Sequence, residues 1–317
     1  MRSVPSDFFP EQTTRGCVSP SLLRPGDTVG VVAPASPFAY DELTEGLRVL
    51  RTDWRLNVWE GDSLRANIGA FAGPDELRRT DLQRLLDDPA VRAIFAARGG
   101  YGSYRLVEGL DFTRFLERPK WLVGFSDITV LLCHLQRLGV QSLHGIMPRQ
   151  FGMEGADDSI DSLRRWLFGE PVAPYAGPPH RLNRPGTATG PLTGGNLSLL
   201  LHTLGTSSEV ATDGHILFIE DIDETLFSLD RMLTQLRRAG KLANLAGLVV
   251  GQFTDMRNNA SVPYRLDADE IIAEAVATYT YPVCHDFPVG HVARNLALPI
   301  GRPATLHVAS TGGELSF

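Results

Sequence analysis

The 317-residue sequence is short of cysteine, of clustered positive charge and of long apolar runs, and each shortage excludes a class of protein. Its three cysteines, Cys17, Cys133 and Cys284, are odd in number and far apart. They make neither a C-x-x-C pair nor a disulfide framework, which fits a reducing cytoplasm. Thirty Lys and Arg face 37 Asp and Glu, a net charge of −7, with no basic block. A nucleic-acid groove needs such a block to meet phosphates, so no nucleic-acid polymer is expected as a partner. No stretch approaches the roughly 18 apolar residues of a membrane span, so no membrane partner is expected. The first 21 residues lack the apolar centre of a signal peptide and read as a flexible extension.

What is present, 43% apolar and 21% charged residues, is the make-up of a globular protein long enough for two domains. From residue 28 to about 145, short apolar runs alternate with helical periodicity. "TVGVVAP", "LNVWEG", "VRAIFAA", "KWLVGF" and "VQSLHG" read as strands. Helices are predicted over Tyr40 to Arg51, over "PDELRRTDLQRLLDD", from "GYGSYRLVEGL" and after Ser126. Such alternation implies a parallel sheet covered on both faces. "GEPVAPYAGPPHRLNRPG" carries five prolines and predicts a connector without regular elements, while Trp166 before it reads as part of an amphipathic helix. Beyond it, "TATGPL", "HILFIED", "GLVVGQF", "PVCHDF", "ATLHVAS" and "GELSF" read as strands. Helices are predicted from Asn196, over Leu226 to Ala239 and over Ala268 to Thr278. The division expected is an extension over 1–21, an α/β domain over 22–150, a connector over 151–187 and a second α/β domain over 188–317. The site is expected between the two domains.

Chemistry enters at "WLVGFSDITVLL", where Ser126 ends a strand-like run and begins a helical one. A serine on such a turn exposes its hydroxyl, and the next amide, that of Asp127, is a free helix-start donor suited to an oxyanion. The second glycine of G-x-S-x-G is missing, and Ser126 and Asp127 are equally good helix caps. "ARGGYGSYR" also follows a strand. Its Gly99, Gly100 and Gly102 permit close backbone approach to a ligand, or simply a tight turn. A serine nucleophile needs a base. Of eight histidines, His291 in "DFPVGHVARN" lies in a loop after an apolar strand, and His144 follows the strand "VQSL". His285 and Asp286 raise a metal site, but no metal-ligand spacing supports one. Glu220 emerges from the apolar strand "HILFIED" and needs a histidine N–H or an arginine such as Arg231 or Arg294 as partner. Asp221, Asp223 and Glu224 form either a solvated acidic loop or a site for a substrate ammonium.

Read in order, "RPGDTVGVVAPAS", "ARGGYGSYRL", "GFSDIT", "HGIMP", "LTGGNLSLL", "IEDIDE" and "DFPVGHVARNLALPIG" resemble the LD-carboxypeptidase family. That family includes the murein tetrapeptide carboxypeptidases and the microcin-immunity peptidases, and the resemblance covers about residues 22 to 317. It implies a flavodoxin-like parallel-sheet domain followed by a smaller α/β domain, generally as a homodimer. It implies Ser126 as nucleophile, Glu220 and His291 as the other triad members, and the Gly100 and Asp127 amides as oxyanion hole. No metal and no organic cofactor are implied. The substrate class implied is a small cell-wall muropeptide in the cytoplasm, cut before a C-terminal D-alanine. Its terminal carboxylate needs a cation or donor, for which Arg98, Asn196 and Arg294 are candidates, and Glu224 is a candidate for its ammonium. Two alternatives stay open. The microcin-immunity branch cuts nucleotide conjugates and tends to carry a base-stacking Trp, for which Trp166 is available. A non-catalytic peptide-binding protein needs the same cleft but no base near Ser126.

Overall fold

The computed structural model describes residues 16–317, so most of the 1–21 extension lies outside the described residues. The elements run β1 (Thr28–Val32), α1 (Thr44–Arg48), β2 (Asn57–Glu60), α2 (Asp75–Asp87), β3 (Val91–Ala96), α3 (Thr113–Glu117), β4 (Trp121–Gly124), α4 (Thr129–Arg137) and β5 (Ser142–His144). They continue with α5 (Asp157–Phe168), β6 (Tyr175–Gly177), β7 (Gly186–Asn196), α6 (Leu197–Thr203), β8 (Ile216–Ile222), α7 (Leu226–Arg238), β9 (Gly247–Thr254) and α8 (Ala268–Ala275). Strands β10 (Val283–Cys284), β11 (Leu298–Ile300), β12 (Pro303–Ala309) and β13 (Gly312–Ser316) complete the chain.

Two sheets result, ordered β11-β5-β4-β3-β1-β2 and β10-β9-β8-β7-β12-β13-β6. In the first, β1 to β5 are parallel in the order 2-1-3-4-5, the flavodoxin-like winding, with the connection reversing between β1 and β3. The second is parallel from β10 to β7 and antiparallel from β7 through β12 and β13 to β6. The alternation of side chains along each strand sorts the core into layers. Phe95, Trp121 and Val123 point to the face covered by Trp54, Phe151 and Trp166. Ile94, Leu122 and Phe125 join Leu131, Phe218 and Val249 in a core shared by both sheets. Leu217 and Ile219 face outward onto Leu229, Leu233 and Ile272.

Three segments depart from the sequence reading. The helix predicted over Tyr40 to Arg51 is a tight 3-10 turn, one α turn and a wide π turn. The wide turn closes with Trp54 N–H donating to the Val49 carbonyl, five residues back, and Trp54 is buried against Phe95, Phe151 and Phe168. "GYGSYRLVEGL" makes only two 3-10 turns, Ser103–Arg105 and Val107–Gly109, with the Ser103 amide at the start of the first donating to the Asp127 carboxylate. Trp166 lies in α5, as its amphipathic reading predicts, but the proline-rich connector holds a strand, β6, between Pro174 and Pro178. Proline tolerates that place because β6 is the last strand of its sheet and leaves one edge unpaired. The sequence reading also missed β11, which pairs antiparallel with β5 and so lends a late segment to the first sheet.

Candidate active site

Ser126 is half-buried with φ +61°, a left-handed backbone that non-glycine residues seldom adopt. It follows β4 after Phe125 and opens the 3-10 turn that leads into α4. The strained corner turns the hydroxyl out of the strand-to-helix path, and such strain gathers at functional sites. As the second residue of that turn, Asp127 has no carbonyl within it for its amide. Its buried carboxylate accepts from Ser103 N at 2.8 Å. Burial pushes Asp127 up, and its bonds to Ser103 and the Arg78 charge only partly offset this. The glycine loop after β3 lies alongside. A methyl on Gly99 would stand 3.3 Å from Ser126 Oγ, so the two turns touch. Gly100 has φ +106°, and a Cβ there would come within 2.4 Å of Ser36 Oγ. That loop is pinned by Tyr101 N donating to Ser36 Oγ at 2.9 Å. Among the described residues the Gly100 amide donates to no protein group.

On the second sheet Glu220 is fully buried and sits opposite Asn196 in the β7–β8 register. The β8–β9 pairing shifts between Ile219 and Asp221, at Glu220 itself, and such bulges re-aim side chains beside sites. The loop after β10 returns over β9, with Phe287 N donating to Val250 O and Gln252 N to Val289 O. It then closes on the carboxylate through Gly290, where φ is +129° and a Cβ would stand 3.1 Å from that of Glu220. His291 follows, and its Nδ1 meets Glu220 Oε2 at 2.7 Å. Burial pushes the imidazole down, but the Glu220 hydrogen bond and charge, with Asp221 behind them, outweigh it and hold His291 above its ordinary value. The carboxylate thus accepts the hydrogen bond from Nδ1–H and leaves Nε2 to face a reacting group. Neither Arg231 nor Arg294 pairs with Glu220, and Arg294 instead bonds Asp158 at 2.9 Å.

Two contacts bring the halves together. Asn196 N donates to Thr129 Oγ1 at 3.1 Å, tying the start of α4 to the strand end beside Glu220. Phe125, the residue before Ser126, packs its ring 4.9 Å from that of His291. Ser126 Oγ itself makes no hydrogen bond among the described residues, an opening that substrate-free sites commonly show.

The substrate-binding candidates are scattered. Arg98 is half-buried and donates to the Pro37 carbonyl, in the crevice between the loops after β1 and β3. Asn196 is engaged inside the fold, its Nδ2 on Asp221 Oδ1 at 2.8 Å and its Oδ1 capping α6. Burial, with the Glu220 charge, pushes Asp221 up to about 7. Glu224 is half-buried, and its carbonyl accepts from Arg257 N. Arg294 is exposed and lines an open cleft with Gln252, Asp286, Pro288 and Val292. His180, Asp269 and His285 offer atoms within 4.8 Å of one another, a grouping able to hold a metal ion. His285 Nδ1 is already bonded to Asp269 Oδ1 at 2.7 Å, His180 accepts from Leu182 N, and the Arg181 charge stands close to Asp269. None of the three bonds Glu220 or His291. Burial pushes the Cys133 and Cys284 thiols up to about 12, so both stay protonated at neutral pH.

The chain matches the family models for the LD-carboxypeptidase N-terminal domain over residues 29–145 and the LD-carboxypeptidase C-terminal domain over residues 189–306. It belongs to the LD-carboxypeptidase family. A probable murein peptide carboxypeptidase of Bacillus subtilis is 37% identical over 298 residues, 92% of each chain. The murein tetrapeptide carboxypeptidase of Pseudomonas aeruginosa is 34% identical, over 88% of this chain and 92% of that one. Among solved structures, the muramoyltetrapeptide carboxypeptidase of Oxalobacter formigenes aligns with a TM-score of 0.82 at 27% identity, covering 91% of this chain and 97% of that one. The microcin C7 self-immunity protein MccF, solved with glutamyl sulfamoyl guanosine, aligns with a TM-score of 0.83 at 20% identity, covering 94% and 98%. At that identity the likeness to MccF is one of fold. As a family member, the protein is a peptidase of the carboxypeptidase class with two α/β domains. Among the described residues no helix is long and apolar enough to cross a membrane.

Proposed function

We propose that the protein is a serine-type LD-carboxypeptidase that removes a C-terminal D-alanine from cell-wall muropeptides, acting as a cytoplasmic homodimer. The Glu220–His291 hydrogen bond carries this reading, since it supplies a braced base whose ring packs on Phe125, the residue before a serine on a strained turn. Ser126 Oγ attacks the carbonyl before the D-residue while His291 Nε2 takes its proton. The amides of Gly100 and Asp127 hold the oxyanion, and Glu220 stabilises the imidazolium. The tetrahedral adduct collapses, the C–N bond breaks, and His291 returns the proton to the leaving amine. Water, deprotonated by His291, then attacks the acyl-serine ester, releasing the shortened peptide and restoring the hydroxyl. The protein's own side chains and amides suffice for every proton and charge in this sequence. The relatives' names, murein peptide and murein tetrapeptide carboxypeptidase, support the substrate class. Three free cysteines fit a reducing compartment.

The test is mass spectrometry of a muropeptide pool incubated with the purified protein, with chiral analysis of the released amino acid. Tetrapeptide should lose one D-alanine, and Ser126→Ala should leave it intact. An uncut pool, or Ser126→Ala cutting at the wild-type rate, overturns the proposal. The nucleotide-conjugate alternative shares the mechanism but asks for an aromatic to stack on a base. Trp166 is buried, donates from Nε1 to Tyr175 at 3.0 Å and packs on Phe317, so it offers no such face. Aminoacyl-sulfamoyl adenosine run beside muropeptide separates the two, and sedimentation gives the oligomeric state.

A further inference from the structure

Nine buried side-chain polar atoms among the described residues have no hydrogen-bond partner, and four of them gather behind the Glu220–His291 bond. They are Oε1 of Glu220, both ring nitrogens of His144 and Nδ2 of Asn295. Buried polar atoms are normally paired, so a cluster of exceptions calls for an explanation.

His144 ends β5 and sits opposite Gly124 of β4, two residues before Ser126. Its ring is fully buried, 5.6 Å from Phe125 and 5.0 Å from Phe218. Phe125 precedes the serine and also packs on His291, while Phe218 lies two residues before Glu220. The imidazole is therefore wedged between the segments that carry the proposed triad. Asn295 comes from the loop that carries His291, where its Oδ1 accepts from Gly290 N at 3.0 Å. Burial pushes His144 down to about 4, although the Glu220 charge and the Asn295 side chain both act to raise it. The ring is thus uncharged at neutral pH, with one N–H and one bare nitrogen. The unpaired groups around it complement that pair: a carboxylate oxygen that can only accept and an amide nitrogen that can only donate.

We propose that His144 is a positioning residue, accepting from Asn295 Nδ2 and donating to Glu220 Oε1, directly or through one buried water. The chain Asn295–His144–Glu220–His291 then holds the carboxylate by both oxygens, so that Oε2 stays on Nδ1. This deepens the proposed relay and rests on it for the roles of Glu220 and His291. It also gives the "HGIMP" and "ARN" segments a task at the site that none of the proposed triad and oxyanion-hole residues covers.

The experiment is long-range 1H–15N spectroscopy of the histidine rings in the full-length protein, alongside kinetics on muropeptide tetrapeptide. In the wild type, His144 should show one protonated and one hydrogen-bonded nitrogen in a single tautomer, and His291 a low-field Nδ1 proton. His144→Phe keeps the aromatic packing but neither polar atom. It should shift or broaden the His291 proton and lower kcat on the order of tenfold with KM unchanged. His144→Gln, which restores a donor and an acceptor, should recover most of both. A wild-type His144 that exchanges between tautomers overturns the proposal, as does a His144→Phe protein with wild-type kcat and an unshifted His291 proton. If His144→Phe does not fold, the wild-type and His144→Gln spectra decide. If the wild type leaves tetrapeptide uncut, the proposed activity fails, yet the spectra still decide whether the chain exists.

Discussion

The turn around Ser126 is shaped by backbone, with φ +61° at the serine and Gly99 against it, whereas the Glu220–His291 pair is joined through side chains, a half-buried imidazole on a buried carboxylate. The first half leaves a local imprint, a strand running into a helix beside a glycine-rich loop. The second leaves almost none, because its two members are 71 residues apart and meet only through the β8–β9 bulge and the returning loop. The two halves should also fail differently. Adding atoms breaks the backbone-built half, and removing polar atoms breaks the side-chain-built half.

The largest effect separates chemistry from architecture. Ser126→Ala should lower kcat on the order of 10⁴-fold or more while thermal unfolding stays near the wild type, because the turn survives without its hydroxyl. Parallel kinetics and calorimetry check this. Next, Glu220→Gln should cost on the order of 10³-fold in kcat and move the acid limb of the kcat/KM profile. His291 must lose its proton to act as base, and Glu220 holds that proton on above the ordinary histidine value. Without the carboxylate, burial prevails, and the limb should shift to lower pH. A limb that stays in place would mean that another group sets it.

On the backbone side, Gly100→Ala meets both a left-handed φ and Ser36 Oγ. It should lower kcat on the order of 10²-fold through the displaced amide. It should also cost about 1–3 kcal/mol of stability, readable by denaturant titration. The smallest effect concerns substrate capture. If Arg98 is the candidate that holds the substrate carboxylate, Arg98→Ala should raise KM about tenfold with little change in kcat, through loss of one charge-assisted contact. Arg294→Ala, whose guanidinium already pairs with Asp158, should change KM less than about twofold, as expected of an exposed ion pair. Reversal of that order would move the carboxylate site from the β1–β3 crevice to the cleft beside His291.

Strands β1, β3 and β4 were legible because parallel strands buried on both faces read as continuous apolar runs, while β2, half-exposed at the sheet edge, was legible from its place in the alternation. Strand β11 was not. Three residues carry no periodicity, and Pro299 argues against a strand until the edge position is known. The break in the helix over Tyr40 to Arg51 was equally hidden, since it follows from how Trp54 packs and not from local propensity. Ser126 and Asp127 could be placed on a strand-to-helix turn from sequence, but helix capping explained them as well. Glu220 could be read as a buried carboxylate in need of a partner, and histidine and arginine both qualified.

The sequence by itself determined the alternation of strand and helix, the glycine loop and the short list of reactive side chains, because those depend on period, conformational freedom and residue chemistry. Tertiary structure decided which of them meet. Only register, a bulge and a returning loop could choose His291 over an arginine for Glu220, because hydrogen bonding acts over about 3 Å while the residues concerned are scattered along the chain.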